Sequence, residues 1–312
     1  MKTKIEEIKH YVGDISTLCG AERFIVSEGK GKGQTIIRLF NGKYNLFIKQ
    51  DKCLDIFRAD YKGENIAFIC KNGLNNPSNL SFLNTFDGGF LYTCGLDNIG
   101  SPSKTFIQHG SISSIPSENV LIERVERNNK YYVSISGEMK YTSLFGSKLI
   151  LKRKITLAYL SDELRIEDTV ENAGFGTDEY MLLYHFNLGY PLLDEKTKVN
   201  IPNISETYFV NKKAEDNQAK LLTFEKPLPQ TEEEVFVHHL KEGKETVTVS
   251  NKRNIEFTFE TNDLPYLTQW KSSASADYVL GIEPATTNLI KKEYKKIEAG
   301  EKHSYTIIIK VF

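Results

Sequence analysis

A chain of 312 residues can bury a large core, as one big β domain or two smaller ones. Its 40 basic and 41 acidic residues nearly cancel, which excludes the basic excess expected of a nucleic-acid binder. No run approaches the ~18 apolar residues of a membrane span, and the N-terminus has early lysines without an apolar leader segment, so a cytoplasmic location is expected.

Along the chain, Lys2 to Cys19 carry a weak helical or mixed pattern. From Arg23 the pattern becomes strands: Phe24 to Val26, Thr35 to Leu39 and Tyr44 to Ile48 are β-branched or aromatic and separated by Gly and Asn turns. Asn41-Gly42 is a hairpin signal. Leu54 to Tyr61 alternates and turns at Lys62-Gly63, and Ile66 to Cys70 is a further apolar run. The next stretch, Gly88 to Ser114, holds Cys94, Asp97, Asn98 and His109 among glycines at 88, 89, 95 and 100. Polar side chains between glycines suit a binding surface better than a packed core. The plainer alternative is a solvated loop with one stray histidine.

Strands then recur: Asn119 to Arg127, Tyr131 to Ser136, Leu149 to Leu157, and Leu164 to Asn172, whose apolar face is Leu164, Ile166 and, after a shift, Val170. Tyr180 to Phe186 is continuously apolar, as for a strand buried on both faces. Asn211 to Glu234, with Pro227 and Pro229, reads as a long surface loop. Val235 to Val237, Thr246 to Ser250, Ile255 to Phe259, Tyr278 to Ile282 and Ser304 to Val311 complete the strands. Strands without alternating helices argue an all-β fold, a large antiparallel sandwich. Neither a linker nor an internal repeat divides the chain, so one domain over 1–312 is expected, with 1–20 as an N-terminal extension.

The four cysteines are scattered, so they are expected as thiols, and Cys94 as a small buried residue rather than a nucleophile. No spacing of Cys or His predicts a metal site. His10 and His303 sit in polar surroundings and are expected to be solvated, while His238 and His239 would point to opposite faces of a strand. His185 interrupts an apolar run, so its ring must find a partner or face a cleft; a satisfied core histidine is the competing reading. Glu283 follows an apolar strand and precedes Pro284. A carboxylate at the end of a buried strand has its pKa raised by desolvation, which suits a general base near neutral pH. The alternative is a Glu paired with a nearby Lys.

The order Gln108-His109-Gly110, Tyr184-His185-Phe186-Asn187 and Gly281-Ile282-Glu283-Pro284 resembles the galactose mutarotase (aldose 1-epimerase) superfamily. The match is closest to its aldose 1-epimerase-like branch, where Gly-Gly-x-x-x-Thr-Cys-Gly-Leu precedes a His-Gly pair, as Gly88 to Leu96 does here. Leu164 to Gly174 also resembles a strand and turn of the superfamily. The similarity runs from Asp51 to Glu283; each motif is short, and their order makes the set specific.

The resemblance implies a β-supersandwich and interconversion of sugar anomers. By it Glu283 takes the anomeric hydroxyl proton, His185 protonates the ring oxygen and His109 stabilises developing charge. It implies no metal or organic cofactor. Substrate-binding candidates are Arg58, Asp97, Asn98, Asn187, Gln269 and Trp270, with Tyr266 and Trp270 as an aromatic platform.

The chain departs from the pattern in lacking an Arg before the first His, where only Lys104 is near, and a clear sugar-gripping Asp, for which Asp263 is a candidate by position. The expected partner is a small-molecule sugar or derivative, with a homodimer left open and neither nucleic acid nor membrane. Two competitors are a non-catalytic carbohydrate-binding protein on the same fold and an isomerase or lyase for a uronate, for which Arg58, Lys104 and Lys271 would supply the cations.

Overall fold

In the computed structural model the described residues are 5–76 and 81–312; the first residues of the predicted N-terminal segment lie outside them. Strands take about 51% of the chain and helix 8%, so the fold is all-β.

Three antiparallel sheets form it. Five strands from Gly20–Ile25 to Glu64–Asn65 pair in chain order. An eight-stranded sheet runs from Lys198–Asn200 through Lys302–Val311 and Glu163–Asn172 to Glu118–Arg127. A seven-stranded sheet contains Tyr266–Ala274, Asp277–Ala285 and Asp178–Leu188 side by side, with Leu91–Leu96 added along Asp178–Leu188.

The alternation in the sequence fixes the faces. Lys148–Ala158 and Glu163–Asn172 bury every second residue, as expected when one side meets the core and the other meets water. Asp178–Leu188 is buried continuously from Tyr180 onward, because both of its faces are covered. Its even-numbered residues, Tyr180, Leu182, Tyr184 and Phe186, join the main core. Met181 and Leu183 join a smaller cluster with Phe86, Tyr92 and Val279 on the opposite face.

Several expectations are corrected. Leu91–Leu96 is a fully buried strand, not a polar binding surface. Ile66 to Cys70 makes only isolated bridges, from Ala67 to Leu188 and from Ile69 to Gly88. The loop Asn211 to Glu234 holds a short helix, Lys212–Asp216, and ends on a buried Glu234. No shift occurs in Glu163–Asn172: Asp168 occupies an inward position with Leu164, Ile166 and Val170. Arg153 explains this polar intrusion, because its guanidinium reaches Asp168 at 2.7 Å and Asp55 at 2.9 Å with all three side chains fully buried.

Asp55 accepts from the backbone N–H and hydroxyl of Thr93 at 2.9 and 2.6 Å. One buried ionic cluster therefore ties the first sheet, the eight-stranded sheet and the strand Leu91–Leu96 together. Lys49, buried with Asp87 at 2.9 Å, adds a second tie beside the same strand. Among the described residues no helix is long and apolar enough to cross a membrane.

Candidate active site

On the outer face of the seven-stranded sheet a cavity of about 180 Å³ opens among Phe86, His109, His185, Thr268, Trp270 and Glu283. Strand register assembles its floor. Asp178–Leu188 pairs with Asp277–Ala285 at Phe186↔Ile282, so one residue further along each strand His185 and Glu283 stand abreast on the same face. His185 Nε2 lies 3.2 Å from Glu283 Oε1. The contact lacks hydrogen-bond alignment, and both His185 Nδ1 and Glu283 Oε1 are buried without a protein partner. Glu283 sits inside its strand, not at the strand's end.

Gly281 makes room for the carboxylate: a Cβ there would lie 2.4 Å from Glu283 Oε1 and 3.0 Å from Trp270 Cβ. Thr268 faces Glu283 directly across the next strand pair, and Trp270 faces Gly281. The indole ring lies 5.4 Å from the His185 ring, edge to face, and its Nε1 donates to Glu233 at 2.7 Å.

His109 arrives from the loop after Leu91–Leu96. Its carbonyl accepts from Gly95 N at 3.0 Å and its N–H donates to Gly100 O at 2.8 Å, with φ at +63°. The ring lies 5.6 Å from that of His185 and 4.5 Å from Phe82, and its Nδ1 is buried without a partner.

Burial governs the charges. It pushes the Glu283 carboxyl well above the usual carboxylate range, and the nearby Glu233 charge adds to this. It pushes His185 well below the ordinary imidazole value, with His109 adding to the effect. His109 falls to about 4 through burial and the Lys292 charge. Burial therefore favours neutral rings and a protonated Glu283, so the His185–Glu283 pair carries a single titratable proton. A carboxyl–imidazole pair of that kind can deliver a proton to one oxygen while taking one from another.

The structure brings His109, His185, Glu283 and Trp270 together and leaves the other candidates off the cavity wall. Arg58 is half-exposed and paired with Asp60 at 3.0 Å. Asp97 accepts from Ser111 N at 2.9 Å and from the Ser111 hydroxyl, pinning the loop. Asn98 donates to the carbonyls of Ser101 and Ile107 at 3.0 and 2.8 Å, so it shapes the segment that carries His109.

Asn187 shares the His185 face, but its amide donates to Gly89 O at 3.0 Å and to His185 O at 3.1 Å. Gln269 is turned to the opposite side from Thr268 and Trp270 by the pleat, where it meets His238 at 3.1 Å. Tyr266 stacks on His239 at 4.9 Å rather than extending the platform. Asp263 and the exposed Lys104 also lie off the wall. Lys271 is buried against Glu234 at 3.3 Å, and burial lowers its pKa.

Among the remaining histidines, His238 is buried and His239 half-buried, facing opposite ways. His10 is exposed, whereas His303 is not simply solvated: it bonds Tyr180 at 2.8 Å and Glu301 at 2.9 Å. Cys94 is a buried thiol whose pKa burial raises strongly. Sequence reasoning missed Thr268, Glu233, Phe86 and Leu289 on the wall. Only Thr268 carried a signal, since it lies two residues from Trp270 and so shares its face of a strand.

A family model described as a domain of unknown function (DUF4432) matches residues 31–311. No curated protein matches the chain. A solved structure from Klebsiella pneumoniae, described as a "putative aldose 1-epimerase", superposes with a TM-score of 0.88 at 20% identity, over 99% of this chain and 86% of that one. A galactose mutarotase-like protein from Clostridium acetobutylicum gives 0.68 at 15% identity, over 95% and 99% of the two chains. A galactose mutarotase related enzyme from Lactobacillus acidophilus gives 0.61 at 12% identity, over 89% and 97%. At such identities these likenesses establish the fold.

Proposed function

The chain belongs to the DUF4432 family, and from its site we propose that it is an aldose 1-epimerase-like isomerase that interconverts the anomers of a free sugar. The observation that carries this reading is the buried His185–Glu283 contact at 3.2 Å, open to a cavity, with Glu283 Oε1 buried and without a hydrogen-bond partner. The mutarotase-like fold supports it. In this reading residues 1–312 act as one domain.

Entry of a hydroxylated ring replaces part of the hydration that Glu283 lost on burial, which favours the carboxylate–imidazolium form of the pair. Glu283 then takes the proton of the anomeric hydroxyl, and His185 gives its proton to the ring oxygen. The C1–O5 bond breaks to an open-chain aldehyde, and C1 rotates about C1–C2. Reclosure from the other carbonyl face runs the same proton transfers backward, so no proton is gained or lost over the cycle. His109, neutral near pH 7, acts by hydrogen bonding rather than by charge. None of these transfers calls for a metal or an organic cofactor.

The test is anomer exchange followed by NMR saturation transfer across a panel of free sugars, with wild type, Glu283→Gln and His185→Gln. Faster exchange with wild type than with either variant is the expected result. Equal rates for all three proteins and every sugar would refute the assignment. A second reading, a carbohydrate-binding protein without chemistry, is favoured by the absence of any arginine on the described cavity wall. It predicts sugar binding that survives Glu283→Gln with no exchange in any of the proteins.

A further inference from the structure

Resting on the isomerase reading, we propose that the sugar this site accepts is uncharged and presents an apolar edge in place of a hydroxyl, as a 6-deoxyhexose does. Two independent features of the wall point there. The first is charge. Among the described residues, the acidic side chains lining the cavity are Glu233 and Glu283, and no lysine or arginine lines it. Lys292, whose charge reaches His109, gives its ammonium to Asn98 Oδ1 at 3.0 Å and to Ser101 O at 2.8 Å. A uronate or a sugar phosphate would bring an anion among carboxyl groups with no counterion, and a desolvated unpaired anion is strongly disfavoured.

The second feature is the shortage of hydroxyl partners. His109, His185 and Glu283 serve the two oxygens that react. The remaining hydroxyls of a hexose would have to share Thr268, Gln108, Ser101 and the one oxygen of Glu233 not held by the indole. Phe82, Leu83, Phe86, Val210, Val235 and Leu289 supply much of the remaining wall, and none of these side chains can accept or donate. A hydroxyl pressed against them loses its water without replacement, whereas a methyl group gains from the same contact. Trp270, clamped by Glu233 at 2.7 Å, gives a fixed aromatic face for ring C–H groups.

Trp270 is the only tryptophan of the chain, so its fluorescence reports occupancy of this cavity apart from turnover. The experiment pairs each parent sugar with its deoxy or anionic counterpart: galactose, 6-deoxygalactose and galacturonate; glucose, 6-deoxyglucose and glucose 6-phosphate. For each, anomer exchange is measured by NMR and binding by Trp270 fluorescence.

The expected result is exchange at least about ten-fold more efficient for a 6-deoxy sugar than for its parent, with no binding of the anionic sugars. Leu289→Asn, checked for folding by thermal melting, narrows that preference at least about three-fold by offering a hydroxyl partner. Equal or better exchange of the parent hexose, or turnover of an anionic sugar, overturns this inference while leaving the isomerase reading intact. Absence of exchange with every sugar overturns both.

Discussion

Replacing Glu283 with Gln separates what the site does from what the fold tolerates. The substitution keeps volume and shape, and the amide can face His185 with either its oxygen or its nitrogen. In the unfolded chain Glu283 ionises near the ordinary value of 4.5; in the folded site burial and the Glu233 charge raise it. A raised carboxyl pKa contributes stability in full below the unfolded value, and that contribution disappears as pH rises toward the folded one.

Relative to an uncharged amide, the wild-type fold therefore loses about 1.4 kcal/mol per pH unit above 4.5 until the folded pKa is passed. At pH 7 the difference is capped at about 3.5 kcal/mol, in favour of Glu283→Gln. Urea unfolding of both proteins, followed by Trp270 fluorescence from pH 4 to pH 7.5, measures it. The curves should coincide near pH 4 and separate with rising pH, the variant being more stable. The same variant should lose anomer exchange by about 10²–10⁴-fold, the usual contribution of a positioned acid–base group. A variant that is less stable at pH 7, or a gap that does not grow with pH, would refute the reasoning about the buried carboxyl.

Four further outcomes are expected. The pH profile of exchange should be a broad plateau: its acid limb, where His185 gains a second proton, should fall below the ordinary imidazole value of 6.5, and its alkaline limb, where Glu283 loses its proton, well above 4.5. Glu233→Gln removes the charge that helps raise Glu283 and should move the alkaline limb to lower pH; a limb that stays put speaks against that coupling.

Arg153→Met strands Asp55 and Asp168 in the core, and chemical denaturation should show a loss of about 3–5 kcal/mol near neutral pH. Gly110→Ala puts a Cβ 2.4 Å from both Asn98 O and Asp97 Oδ1 at φ +75°. It should destabilise the protein by at least about 2 kcal/mol and depress exchange by displacing His109, while an exposed control such as Gly29→Ala, with open space around it, leaves exchange unchanged.

Fold class was legible because alternation is local. Lys148–Ala158 and Glu163–Asn172 bury every second residue, and that period is written in the chain whatever the strands pack against. The continuous apolar run before His185 likewise announced a strand covered on both sides. The order of His109, His185 and Glu283 marked the residues that converge.

Alternation tells that neighbours face opposite ways but not which way faces the cavity, and that depends on sheets stacked from distant parts of the chain. Gln269 and Trp270 are adjacent, yet only the indole reaches the site, because the pleat and the pairing with Asp277–Ala285 decide between them. Asp168 read as an irregularity until Arg153, on the neighbouring strand, and Asp55, on another sheet, supplied its reason for being buried. The sparse hydroxyl partners and acidic wall of the cavity follow from loops and strands far apart in sequence, including Phe86, Glu233 and Leu289. Local periodicity dictated the architecture; long-range packing alone selected which side chains meet in the cavity.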